Sequence, residues 1–280
     1  MPRPRHVKDV SDTDLTKTPP GLEVRCYFVR HRNALVTRAD FGELYVDYYL
    51  HQAQYGRPHQ PSHDELFKKL LAAATLHAAS RPWNESSAWT VHLEDPLLNL
   101  FVTCDNRLGT VVGQLFTENV KADSAQLFLA DVVREGSESR RSVVDFEGSD
   151  PFKAVEHYYS QSEQRLGRFF SVGPEDFVFV SAQPQCDLAW LEGLDDAQVQ
   201  QLDKTQELSL LETRYYRWEC GCTQARMFAV LASVMKSDPD GLFGDDPVIR
   251  ISCPRCGARH SITREALEAY VGGEEAEEET

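Results

Sequence analysis

Four of the chain's seven cysteines form two close pairs, Cys220-Gly-Cys222 and Cys253-Pro-Arg-Cys256, separated by the thirty residues Thr223 to Ser252. Two such pairs bring four thiolates to one point at the expense of a single loop closure, which is what a tetrahedral zinc ion requires. Pro254 restricts the backbone between the second pair. Gly257 permits a tight turn whose N–H groups can face the sulfurs. Four cysteines close the site on their own, so His260, though near in sequence, is not counted as a ligand. A closed four-cysteine site has no position for water and is a poor candidate for metal-assisted hydrolysis. The alternative is four unrelated thiols, or two redox dithiols without metal. The C-x-C pair can also close as a strained small-ring disulfide, and strained, exposed disulfides are the labile, regulatory ones.

The other cysteines carry no such pattern. Cys26 in EVRCYFV and Cys104 in LNLFVTCDN have strand-like apolar surroundings and read as small buried hydrophobes, while Cys186 lies in a polar stretch. No G-x-S-x-G, H-E-x-x-H, dinucleotide or phosphate-loop motif is present, and the nine histidines do not cluster at ligand spacing. The expectation is a protein that is not an enzyme.

Composition narrows the partners. The 280 residues carry a net charge of -15, which argues against wrapping nucleic acid or binding an anionic membrane. The segment from Cys220 to Val271 holds six basic and six acidic residues, whereas a zinc ribbon for nucleic acid would be basic. No apolar run approaches the ~18 residues of a membrane span. The N-terminal stretch lacks the apolar core of a secretory signal, so the expected compartment is a reducing cytoplasm.

These cysteines need a scaffold, and the pattern predicts a mixed α+β core. Apolar residues at Phe41, Leu44, Tyr45, Tyr48 and Tyr49 mark one helix face, with Asp40 as its N-cap, and Leu66–Ala79 reads as an alanine-rich second helix. Trp89, Val91 and Leu93 alternate as a strand. Further strands are expected at 98–104, 108–116, 126–134, 141–146, 169–172 and 177–181. Asp150-Pro151 is a helix start, and Asp195 a second cap. The expected organisation is a disordered extension over 1–20, a core of β-sheet packed with helices over 21–180, a helical linker over 181–215, a zinc-binding domain over 216–271 and an acidic tail over 272–280.

C-x-C, a spacer of thirty and C-x-x-C near the C-terminus of an acidic chain of this length resemble the heat shock protein 33 family, the redox-regulated bacterial holdases also called 33 kDa chaperonins. WECGCTQARMFAVLASV and ISCPRCGARHSITREALEAY are similar to the family's two cysteine segments. VRHRNALV, LLAAATLHAA, DPLLNLFVTCDNRLGTVVG and VVDFEGSDPFKAVEHYYSQSEQRLGRFF resemble elements of its core. The resemblance implies an ATP-independent chaperone that binds unfolding client proteins. It implies one zinc ion on Cys220, Cys222, Cys253 and Cys256, and disulfides Cys220–Cys222 and Cys253–Cys256 when oxidised. It also implies a linker that unfolds on oxidation and a dimeric active form. TQELSLLETRYYRWECGC reaches the cysteines sooner than is usual for the family, so the linker is expected to be abbreviated. The alternatives are the same fold with a structural zinc and constitutive protein binding, or a nucleic-acid-binding zinc ribbon.

Overall fold

Strands dominate residues 21–200 because β-branched and aromatic side chains alternate there with polar ones, and helices pack against the sheet they form. The structure, a computed structural model, describes residues 21–122 and 125–278. The extension expected over 1–20 lies outside the described residues. The chain begins with the hairpin β1 (Leu22–Val29) and β2 (Ala34–Asp40), followed by helices α1 (Gly42–Tyr55) and α2 (Pro61–Ala79). An antiparallel run follows: β3 (Glu85–Glu94), β4 (Leu97–Asp105), β5 (Thr110–Phe116), β6 (Leu127–Arg134) and β7 (Arg140–Asp145). Helix α3 (Pro151–Gln161) leads to β8 (Gly167–Ser171) and β9 (Asp176–Ala182). Three short helices, α4 (Leu188–Gly193), α5 (Asp196–Gln200) and α6 (Leu202–Thr205), precede β10 (Leu208–Trp218). The C-terminal part holds α7 (Gln224–Ser237), α8 (Pro239–Phe243), the hairpin β11 (Val248–Ser252) and β12 (Arg259–Thr263), and α9 (Arg264–Glu278).

Ten strands form one sheet in the order β7-β6-β3-β4-β5-β10-β1-β2-β9-β8. All neighbours are antiparallel except β10 and β5, which pair in parallel through Arg217 with Thr110 and Trp218 with Val111. Helix α2 lies under both halves, and every residue from Leu70 to Ala79 is buried. Its run Ala72-Ala73-Ala74 lets the helix backbone approach the sheet closely. Tyr48 and Tyr49 of α1 each donate to the Asp64 carboxylate of α2 at 2.6 Å, which satisfies that buried acid and ties the helices together. The cap at Asp150 forms as expected, its carboxylate accepting from the Phe152 N–H.

Several boundaries differ from expectation for local reasons. Phe41 occupies the N-cap of α1, and the Asp40 carboxylate instead accepts from the Gly42 N–H. α2 starts at Pro61, whose fixed φ suits a first helical position. β5 begins at Thr110 because the Asp105 carboxylate accepts from the N–H groups of Arg107 and Leu108 and makes a turn there. α9 continues through Gly272 and Gly273 to Glu278; glutamate is a good helix former, and its run offsets two weak glycines.

The largest difference concerns residues 181–215. Its first part is helical and packs Leu191, Leu194, Val199 and Leu202 on Val36, Phe170, Val178 and Val180 of the sheet. Asp195 caps α5 in a reciprocal capping box with Gln198. Its last part is β10, a strand in the interior of the sheet that runs across the boundary expected at 215 and 216. The short spacing before Cys220 thus reflects a strand that leads straight into the cysteines.

Gly113 of β5 sits between Val112 and Gln114, and a Cβ there would lie 2.2 Å from the Phe101 carbonyl and 3.0 Å from the Phe67 ring. Gly113→Ala should destabilise the fold by about 3 kcal/mol through overpacking, read as a lower denaturant midpoint at unchanged slope. A variant as stable as the parent would contradict this packing.

Candidate metal centre

The sheet delivers the first cysteine pair and a hairpin delivers the second. β10 ends at Trp218, and Cys220-Gly-Cys222 forms the short link to α7. Gly221 takes φ +64, a left-handed turn that glycine adopts without strain. Thr223 caps α7 by accepting from the Arg226 N–H and so fixes the helix immediately after Cys222. Cys253 and Cys256 lie in the turn between β11 and β12. The Cys253 N–H donates to the Ala258 carbonyl and the Gly257 N–H to the Cys253 carbonyl, both at 2.8 Å. Gly257 closes this turn at φ +74.

All four predicted residues converge. Their sulfurs lie within 4.8 Å of one another, with Cys220 to Cys253 at 3.7 Å and Cys222 to Cys256 at 3.6 Å. A metal–sulfur distance of ~2.3 Å puts tetrahedral sulfurs roughly 3.8 Å apart, so the sulfur cage fits a tetrahedral ion. Cys253 and Cys256 are buried, while Cys220 and Cys222 are half-buried. His260 is not among the groups that converge, and among the described residues this is the one such cluster of cysteine, histidine and carboxylate ligands.

The thiols titrate as a set. Hydrogen bonding from Cys256, then from Cys253, brings Cys220 down to about 5 against the opposing effect of burial. Burial, and then the negative charge of Cys220 and Cys253, pushes Cys222 up to about 12. Cys256 is raised because its proton serves Cys220 and because it is buried. One thiolate therefore forms readily and then opposes the next, a repulsion that a dication at the centre removes. With four protein ligands, such an ion would hold the two cysteine segments together and leave no position for water or substrate.

The remaining cysteines stand apart. Burial raises both Cys26 and Cys104 to about 12, and the Cys26 thiol donates to the Ala79 carbonyl at 3.2 Å. Cys186 is half-buried and raised, chiefly by burial. All three are thiols at neutral pH and weak nucleophiles.

The surroundings of the cage come from the core and were not singled out in the sequence. Cys253, Cys256 and Ala258 pack with Val112 of β5, Tyr55 of α1 and Trp218 of β10. His51 and Arg57 contact the backbone of the second cysteine turn. Trp218, two residues before Cys220, is the only one of these with a sequence cue. His51 and Arg57 are about two hundred residues away from their partners.

Comparison with known proteins agrees with this picture. The sequence model of the Hsp33 protein family matches residues 181–263, spanning the short helices, β10 and the cysteine centre. The chain is similar to a 33 kDa chaperonin of Aliivibrio salmonicida, 22% identical over 242 residues that make up 75% of this chain and 81% of that one. Its fold is similar to the crystal structure of the 33 kDa chaperonin of Thermotoga maritima, with a TM-score of 0.69 at 11% identity over 91% of this chain and 99% of that one.

Cobalt reports on such a cage because a tetrahedral sulfur site gives it intense visible and thiolate charge-transfer absorption. The reduced chain should take up one Co²⁺ with those bands. Cys220→Ser with Cys222→Ser should abolish them, and Cys26→Ser with Cys104→Ser should leave them intact. Tight stoichiometric metal in the Cys220/Cys222 variant would contradict a four-cysteine site.

Proposed function

We propose, from the premise that the chain belongs to the Hsp33 family, that it is an ATP-independent chaperone that captures unfolding proteins when its cysteine centre is oxidised. The observation that carries the reading is the four-sulfur cage itself, with Cys220 and Cys222 half-buried and the cage set against both sheet and module. The ion assigned to it is one zinc, which when bound keeps the four sulfurs as thiolates and cross-links the module. The C-terminal module has a small apolar core of its own around Met235, Phe243, Ile262 and Leu267. A unit of about fifty residues with so little core depends on such a cross-link.

Oxidation removes the donors. Each cysteine pair, Cys220 with Cys222 and Cys253 with Cys256, gives up two electrons from its two thiolates to form one S–S bond, and one peroxide per pair takes those electrons and two protons from solvent to become two waters. Two disulfides offer no thiolates, and the module loses its cross-link. The short helices α4, α5 and α6, of six, five and four residues, are joined to the module only through β10 and are too short to persist alone once that strand is loosened. Their release uncovers Val36, Phe170, Val178 and Val180, an apolar sheet face that unfolding proteins can bind. The strong negative charge of the chain keeps such an opened form soluble. We place the protein in the cytoplasm and infer that the opened form pairs as a dimer through its uncovered surface.

A second reading has its own observation. Residues just before the cysteines are locked into the sheet as β10, so oxidation of the module could leave the core and its binding surface unchanged. Binding would then be constitutive and the metal purely structural.

Peroxide or hypochlorite treatment of the zinc-loaded, reduced chain at mild heat separates the two. Zinc release is followed with a chromogenic chelator and client aggregation by light scattering. The switch predicts release of one zinc per chain together with a new ability to suppress aggregation. Equal suppression before and after oxidation would establish the constitutive reading, and zinc release with no suppression in either state would overturn the chaperone assignment.

A further inference from the structure

We infer that His51 is a positioning residue for the cysteine centre: the core donates a hydrogen bond through it to the backbone of Cys256, and so holds the second ligand pair in its binding shape. The inference rests on the reading that the four cysteines hold a metal.

The second cysteine turn satisfies only part of its own backbone. The carbonyls of Cys253 and Ala258 accept from Gly257 and Cys253 within the turn. The carbonyls of Cys256 and Gly257 turn toward the core. His51 Nε2 lies 2.9 Å from the Cys256 carbonyl, and Arg57 Nη1 donates to the Gly257 carbonyl at 3.4 Å. A carbonyl only accepts, so Nε2 of His51 carries the proton. Cys256 is buried, and a buried carbonyl that loses its donor is costly. Holding the carbonyl plane of Cys256 also holds the direction in which its Cβ and sulfur leave the backbone.

The donor is itself held rigidly. The His51 ring packs against Tyr55 at 4.8 Å and Trp218 at 5.5 Å between centroids. Trp218 packs in turn on Tyr48 at 5.2 Å, and the Tyr48 hydroxyl donates to Asp64 of α2. On the other side Gly257 approaches the core closely, since a Cβ there would lie 3.1 Å from Arg57 Nη1 and 3.4 Å from the Gln114 side chain. Because binding linkage is reciprocal, whatever His51 adds to metal retention the metal returns to the last turn of α1.

Two substitutions in the full-length chain separate the hydrogen bond from mere packing. His51→Phe keeps a ring against Trp218 and Tyr55 but no donor, whereas His51→Gln keeps an N–H donor of similar reach. The rate of zinc transfer from the reduced, loaded chain to a chelator is read alongside hydrogen exchange of the last turn of α1. His51→Phe should transfer zinc about tenfold faster, with exchange in that turn already fast while metal is bound. His51→Gln should stay near the parent rate. Transfer from His51→Phe at the parent rate, or from His51→Gln as fast as from His51→Phe, would overturn the inference while leaving the metal assignment standing. A parent chain that retains no zinc overturns that assignment and the inference with it. If His51→Phe does not fold, Arg57→Met tests the neighbouring carbonyl in the same assay, with a smaller acceleration expected and an unchanged rate counting against the proposal.

Discussion

The parallel pairing of Arg217 and Trp218 with Thr110 and Val111 joins the two halves of the sheet, and two residues later the same strand delivers Cys220. Parallel neighbours cannot be joined by a tight turn, so the chain must travel from β5 around the whole of β6 to β9 before β10 can return. That return puts Trp218 beside β5, and Val112 of β5 under the sulfur cage. The position of the metal centre is therefore a consequence of sheet topology. The module rests on the core at the one place where the sheet's two antiparallel halves meet.

The same geometry sorts the seven cysteines by chemistry. Cys26 and Cys104 are sealed in the core, where burial favours the neutral thiol. The four clustered sulfurs share protons, and Cys220, half-buried and hydrogen-bonded by its neighbours, ionises first. Readily ionised sulfur is thus gathered at one half-buried spot where the module meets the sheet.

Local chemistry was the readable part of the sequence. The cysteine spacing alone brings Cys220, Cys222, Cys253 and Cys256 together because each pair is fixed by its own turn and only one loop must close. The caps at Asp150 and Asp195 were legible for the same reason, each acting within three residues. β10 was not, because Leu208–Trp218 shows no clean alternation and its partner β1 lies nearly two hundred residues away. The contacts of His51 and Arg57 with the cysteine turn were equally hidden, since a lone histidine on a helix gives no sign of what packs on it. Residue spacing encodes turns and metal ligands well. It encodes poorly which distant surfaces meet, and that is set by the sheet order.

Helix α2 touches β1, β2 and β9 on one side of the seam and β3, β4 and β5 on the other. It splints the narrow junction from beneath, so the core is one cooperative unit even if the module above it comes undone. The module's own contacts run between near neighbours, β11 with β12 and α7 with α8, β12 and α9. Chains built from such short-range contacts search few conformations and fold fast. On the proposed switch, a core splinted in this way and a module of near-neighbour contacts would make recovery after reduction a matter of local folding speed rather than of rebuilding the molecule.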